Sequence, residues 1–185
     1  MPHIHTEPGQ HDHTVSAYIV RFIDDVPHLL LHRHRKYRKL MQPGGHVELD
    51  ENPWQAILHE IPEETGYDLS QLELLQPFQP IFTTAERTVV TPLPFLMNTH
   101  DVHDGTIESH FHDDSVYVFV TNEEPVQQPA EDEAQELAWL TNEEIKNWDD
   151  DDLAFAVKKI ADAVFEKCLK EWVRVPTNAF SNQNP

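Results

Sequence analysis

The chain has 185 residues, 33 acidic and 13 basic, and its formal charge of −20 disfavours binding to a nucleic-acid backbone while still allowing a small anionic substrate at a local, metal-assisted site. Its single cysteine, Cys168, excludes an intramolecular disulfide and a cysteine-rich zinc site. The length suits one domain with a real core, and with no signal-peptide pattern or apolar run of membrane-spanning length, a cytoplasmic protein with no membrane partner is expected.

Residues 1–13 are polar and histidine-rich and are expected to precede a domain over 14–175, with a loose tail over 176–185. Thr14 to Ile23 alternates and is β-branched enough for a strand. Asp24-Asp25 marks a turn, and His28 to Arg33 reads as the partner strand of a hairpin. Arg33, Arg35, Lys36, Arg38 and Lys39 then place five of the 13 basic residues in seven positions. They read either as a solvated hairpin tip or as a positive rim on which Arg35 and Lys36 receive substrate phosphates.

Gly44 and Gly45 make a turn that leads to a helix predicted from about Pro53 to Thr65. Asn52 is a good N-cap, Pro53 suits the first helical position, Gln55 completes a capping box and Gly66 is a natural stop. Trp54, Ile57, Leu58, Ile61 and Thr65 form a core stripe, while Glu60, Glu63 and Glu64 crowd one patch. Seven acidic side chains lie between Glu48 and Asp68, and no Lys or Arg occurs from Leu40 to Glu86. Like charges a few ångströms apart repel by about 1 kcal/mol even in a watery setting, so a cation is expected there. Oxygen-only ligands favour Mg²⁺, or Mn²⁺ in its place. Pro62 removes the bond to the Leu58 carbonyl and predicts a kink between Leu58 and Pro62. The plain alternative for this stretch is an acidic, solvated surface helix.

Further along, Leu72 to Leu75 and Thr88 to Met97 are strand candidates, and His100 to Asp114 reads as loop, with a turn at Asp104-Gly105. Ser115 to Val120 is the next strand, Asn122 to Ala134 an acidic mobile loop, and Leu137 to Leu140 a short strand. Thr141 to Glu144 is a capping box opening a helix that ends near Trp148. The last helix follows Asp149 to Asp152, with Leu153, Val157, Ile160, Ala161, Val164, Cys168 and Trp172 on one face and Cys168 as a buried apolar residue.

Two His-x-His pairs, His11 with His13 and His110 with His112, adjoin predicted strands, where alternation puts both members on one face. That arrangement suits Zn²⁺, but no third ligand is fixed by the sequence, and a polar strand end or pocket wall is the simpler reading. His110, His112 and Asp113 are also candidates for lining a substrate pocket. His46 follows the turn glycines and is either a substrate contact or merely exposed.

The spacing of Gly45, Glu51, Glu60-Ile61, Glu63-Glu64 and Gly66-Tyr67 resembles the Nudix box, with His59 where that family carries Arg and Pro62 at a free position. A Pro-Gly-Gly-His-Val-Glu entry, a His-rich segment before a Tyr-x-Phe strand and a Trp-Leu-Thr-x-Glu-Glu segment extend the resemblance over roughly residues 14–170. It implies an α/β fold, a mixed β-sheet sandwiched between α-helices. It also implies a metal-dependent hydrolase that cleaves a diphosphate linkage in a small-molecule nucleoside diphosphate derivative. By position it implies Gly45 (through its carbonyl), Glu60, Glu63 and Glu64 as ligands of Mg²⁺ or Mn²⁺, and a catalytic set of Glu60, Glu63 and His59. Glu51 is then a structural brace, His59 takes the orienting Arg position, and the base is Glu60 or lies outside the box at Glu108 or Glu123. Many members pair, so a homodimer is carried as an expectation. The alternatives are a non-catalytic nucleotide- or nucleotide-sugar-binding domain, supported only by His59 and Pro62, and isomerase chemistry, which needs a cysteine better placed than Cys168.

Overall fold

A computed structural model describes residues 7–81, 88–102, 110–154 and 156–180. Its first element is a hairpin of β1 (His11–Ile23) and β2 (Val26–Arg33). Asp24 and Asp25 turn it at φ of 49° and 64°, the two left-handed residues that a tight turn matched to strand twist requires. β3 (Leu40–Met41) and β4 (Gly44–His46) follow, then α1 (Pro53–Thr65). The Asn52 and Gln55 capping box forms, and Gly66 ends the helix at φ 75°. The helix remains continuous across Pro62.

The remaining elements are β5 (Glu73–Gln76), β6 (Leu96–Val102), β7 (His110–Thr121), β8 (Leu137–Leu140), α2 (Asn142–Asn147), α3 (Val157–Ala163), α4 (Leu169–Glu171) and β9 (Val173–Pro176). A wider π-type turn, Val164–Cys168, joins α3 to α4. β1 and β7 pair in parallel from His11 with Phe111 to Arg21 with Thr121, and every other strand pairing described is antiparallel. The sheet is therefore mixed, in the order β3-β2-β1-β7-β5-β9, with β4 on β1, β6 on β7 and β8 on β2.

Strand alternation divides the core into two layers. Val15, Ala17, Ile19, Leu30, Tyr117 and Phe119 pack under Trp54, Ile57 and Ile61 of α1. Tyr18, Val20, Leu29, Leu31, Val116 and Val118 pack on the other side against Ile145, Val157, Ala161, Val164 and Cys168. The sheet lies between α1 and the C-terminal helices, the α/β sandwich expected.

Several segments differ from the sequence expectation: β1 starts at His11 rather than Thr14, and the last helix starts at Val157, leaving Leu153 before it and Trp172 after its end. β6 begins at Leu96 rather than Thr88, and its mostly exposed face carries no alternation to read; its pairing with β7 defines it. β7 begins at His110, five residues early, because β1 and β6 supply ladder partners on both sides of its polar start. The acidic segment after Asn122 is tied down: the Tyr67 hydroxyl donates to the Glu123 carbonyl (2.8 Å), Gln127 N–H to the Gly66 carbonyl (3.2 Å) and Ala130 N–H to the Glu63 carbonyl (2.7 Å). Of the tail expected to be loose over 176–185, the described part runs from the end of β9 into a 3₁₀ turn, Thr177–Phe180, with Thr177 and Phe180 buried, while 181–185 lie outside the described residues. Among the described residues no helix is long and apolar enough to cross a membrane.

Candidate active site

β4 pairs with β1 through Ser16 with Gly44, Val15 with Gly45 and Thr14 with His46. Backbone approach requires the glycine at 44, and a carboxylate approaches the one at 45. A Cβ on Gly44 would lie 2.0 Å from the Val15 carbonyl oxygen, and one on Gly45 would lie 2.0 Å from Glu60 Oε1. The α1 cap and core stripe hold Glu60 and Glu64 against this backbone, at 5% and 6% exposure. The Gly44 N–H donates to Glu64 Oε2 at 2.6 Å. Glu60 Oε1 is buried and has no hydrogen-bond partner.

The electrostatics follow from that burial. Desolvation pushes the Glu60 carboxyl up to about 7, with the charges of Glu63 and Glu133 adding to it. Desolvation also raises Glu64 well above the usual carboxylate range, against the Gly44 N–H and with the charge of Glu60 adding. Among the described residues no lysine or arginine pairs with either group. Two buried carboxylates, one with an orphaned oxygen, are a donor set that fits a hard divalent cation. Glu63 is exposed on the same helix.

Two residues that sequence reasoning passed over join this site. His32 of β2 is buried, and its Nδ1 lies 3.9 Å from Glu64 Oε1 without a hydrogen bond. Burial lowers it to about 4, so near neutral pH it is an uncharged wall and not a counter-ion. Its signal was a histidine closing the apolar run Leu29-Leu30-Leu31. Glu133 is half-buried on the loop after Ala130, and its charge acts on both glutamates; it carried no local signal.

The other candidates fall into separate places. Glu51 Oε1 accepts from the Glu48 N–H (3.0 Å) and Glu51 Oε2 lies 2.8 Å from His59 Nδ1, so His59 reaches the loop before α1. Arg33 is engaged with Asp152 (2.6 Å) and Glu136 (2.9 Å), and Arg35 donates to the Asp132 carbonyl. Arg33, Arg35 and Arg38 share an open cleft of about 260 Å³ with Glu131, Glu133 and Glu136, so its walls are mixed in charge. Lys36 is exposed, with its ammonium 5.4 Å from the Tyr37 ring centre. Glu123 is exposed and bound to Gln71 Nε2 (3.1 Å), while Glu108 lies outside the described residues. Cys168 is buried among the C-terminal helices, on the sheet face opposite α1, and burial pushes its thiol up to about 12. That is the wrong face and the wrong protonation for a nucleophile at this site.

The histidine pairs separate too. His11 and His13 are exposed, and His11 Nδ1 is 3.0 Å from Asp113. His110 and His112 turn to the face that holds Asp12 and His46, where His46 Nε2 is 3.9 Å from Asp12 Oδ2. Alternation thus sends Gly45 toward Glu60 and His46 away from it.

A family model described as the NUDIX domain matches residues 12–162. No curated protein matches the chain. Among solved structures, the chain is similar to a NUDIX-family hydrolase from Clostridium perfringens, at 27% identity and a TM-score of 0.62, over 81% of this chain and 93% of that one. It shares its fold with the NUDIX domain of Shewanella oneidensis NrtR, solved with ADP ribose, at 15% identity and a TM-score of 0.56, over 84% and 87% of the two chains. It also shares the fold of a bifunctional NMN adenylyltransferase/ADP ribose pyrophosphatase from Francisella tularensis, solved with AMP and manganese. There the identity is 21% and the TM-score 0.53, over 88% of this chain and 42% of that one.

Proposed function

The chain belongs to the NUDIX family, and on that premise we propose that it is a metal-dependent hydrolase cleaving a diphosphate linkage in a nucleoside diphosphate bonded to a further group. The observation that carries this is the buried pair Glu60 and Glu64, pressed on the Gly44-Gly45 backbone with Glu60 Oε1 orphaned. A divalent cation, Mg²⁺ or Mn²⁺, held by Glu60 and Glu64 with Glu63 and the Gly45 carbonyl as further donors, would polarise the phosphate oxygens and offset the charge of the leaving group.

The chain's own residues do the rest. Gly44 N–H fixes the rotamer of Glu64 through Oε2 and leaves its other oxygen for a cation. Glu51 and His59 brace the loop that delivers β4 to α1. His32 seals the back of the site as a neutral wall. Glu133, whose charge both glutamates feel, is placed to accept a proton from an attacking water, and Glu60 is the second candidate by its position at the site. The cleft of Arg33, Arg35 and Arg38 opens beside Glu133 and is the place for the distal part of the substrate.

ADP-ribose heads the substrate panel because two fold neighbours were solved with adenine nucleotides. The test measures release of phosphate-bearing fragments from ADP-ribose, nucleotide sugars, dinucleoside polyphosphates and nucleoside triphosphates, with Mg²⁺ and with Mn²⁺. Metal-dependent cleavage that Glu60→Gln and Glu64→Gln both abolish is the expected result. Metal binding without cleavage of any member would replace hydrolysis by a nucleotide-binding role.

A further inference from the structure

We propose that Asp12, His110 and His112 form a second metal site, apart from the glutamates of α1, which takes a borderline divalent ion of the Zn²⁺ class. One ligand atom from each lies within 4.8 Å of the others. Sheet register brings them together. β1 and β7 run parallel with Asp12 beside His112, and His110 is two residues before His112 and so on the same face. Asp12 is 1% exposed and His110 4% exposed, while His112 is half-buried at the rim.

Two further imidazoles surround this triad. His46 stands over His112 with ring centres 5.0 Å apart and has Nε2 3.9 Å from Asp12 Oδ2. His100, the cross-strand partner of His112 on β6, has its ring 5.4 Å away. The triad thus comes from two strands, with the imidazoles of two more, His46 on β4 and His100 on β6, packed against His112. The neighbouring acid on this face, Asp114, lies outside the group of three and accepts from the Ser16 (2.9 Å) and Thr14 (3.2 Å) hydroxyls.

The donor types choose the ion. Two imidazoles and one carboxylate match the nitrogen-rich sites of Zn²⁺ and its neighbours, whereas the all-oxygen set on α1 suits Mg²⁺ or Mn²⁺. Bonds of about 2.0–2.1 Å place tetrahedral ligands about 3.3 Å apart, so the three donors close inward on binding by small side-chain rotations. Three protein ligands leave a fourth position for water or His46. The ion would then tie the start of β1 to β7, beside the strand that carries Gly44 and Gly45.

The test uses the full chain freed of metal by a chelator and titrated with Co²⁺ as the spectroscopic probe, then with Zn²⁺. The expected result is a visible absorption band from low-symmetry Co²⁺, saturating at a single equivalent and displaced by Zn²⁺, with a rise in Tm on Zn²⁺ addition. The double variant Asp12→Asn/His112→Gln should lose the band, while Glu60→Gln/Glu64→Gln and His11→Gln/His13→Gln should keep it. Because the band is read first on the unmodified protein, poor folding of the Asp12 variant leaves the question answerable. Absence of the band in the unmodified chain, its survival in a folded Asp12→Asn/His112→Gln variant, or its loss in Glu60→Gln/Glu64→Gln would each overturn the proposal.

Discussion

Two clusters of ionisable side chains flank β4, and they were built by different means. On the α1 side, Glu60 and Glu64 come from a single helix, four residues apart, and meet a backbone they can approach because Gly44 and Gly45 carry no Cβ. On the other side, Asp12, His110 and His112 come from two strands separated by most of the domain and meet only because β1 and β7 share a register. The first cluster is acidic, oxygen-only and electrostatically costly, a donor set that fits a hard cation. The second mixes imidazole with a single carboxylate and is suited to a softer ion. A site local in sequence can be recognised from spacing, whereas one assembled by register cannot.

The largest effect expected on the first cluster comes from Glu64→Gln. It keeps the shape and the Gly44 contact but removes a charge, and should lower metal-dependent turnover by about 10²–10³-fold while leaving the fold intact. Turnover within tenfold of the parent would place the metal elsewhere.

The two glycines sharpen the contrast between fold and site. Gly45→Ala meets the movable carboxylate of Glu60, so metal affinity should fall by about 10–100-fold, read as a shift in the Mg²⁺ concentration for half-maximal rate. Gly44→Ala meets backbone of β1 instead, and should cost about 1–3 kcal/mol of stability by denaturant unfolding. If both variants lost affinity without loss of stability, the distinction between them would fail.

A pH effect comes next. Burial raises Glu60 from its ordinary 4.5 to about 7, so its ionised form opposes folding. The stability that its protonation supplies is complete below about 4.5 and is lost as pH rises through about 7. Metal-free parent protein should therefore lose more Tm between pH 5 and pH 8 than Glu60→Gln does, and Mg²⁺ should remove the difference. Equal pH slopes in the two proteins would show that Glu60 is not held in a desolvated state.

The smallest effect belongs to His59, whose side chain is 70% exposed and pairs with Glu51. His59→Ala should change kcat/KM by no more than a factor of about five, and His59→Arg by less. A loss approaching that of Glu64→Gln would make His59 part of the chemistry and not of the brace.

The sequence carried the limits of α1 because caps and stop are local: Asn52, Gln55 and Gly66 act within three residues of the helix ends. It carried the spacing of the glutamates for the same reason. It did not carry β6 or the start of β7. Leu96 to Val102 has no alternating pattern, and His110 to Asp114 is polar, so their strand state depends on ladder partners elsewhere in the chain. Nor did it mark the acidic segment after Asn122 as ordered, since its anchors, Gly66, Glu63 and Tyr67, lie three strands earlier in the chain. Arg35, read either as part of a solvated hairpin tip or as a rim for substrate phosphates, donates to that same segment at the Asp132 carbonyl.

By itself, then, the amino-acid sequence determined the hairpin turn, the box helix and the carboxylate patch, because each rests on contacts between residues a few positions apart. The tertiary structure decided which polar groups face those carboxylates, placing the neutral His32 and the distant Glu133 beside them. It also decided that Asp12, and not His11 or His13, meets His110 and His112. The physical reason is that strand alternation is visible in a sequence, but the register that aligns one strand with another is fixed only when a face of the sheet is buried against the rest of the fold.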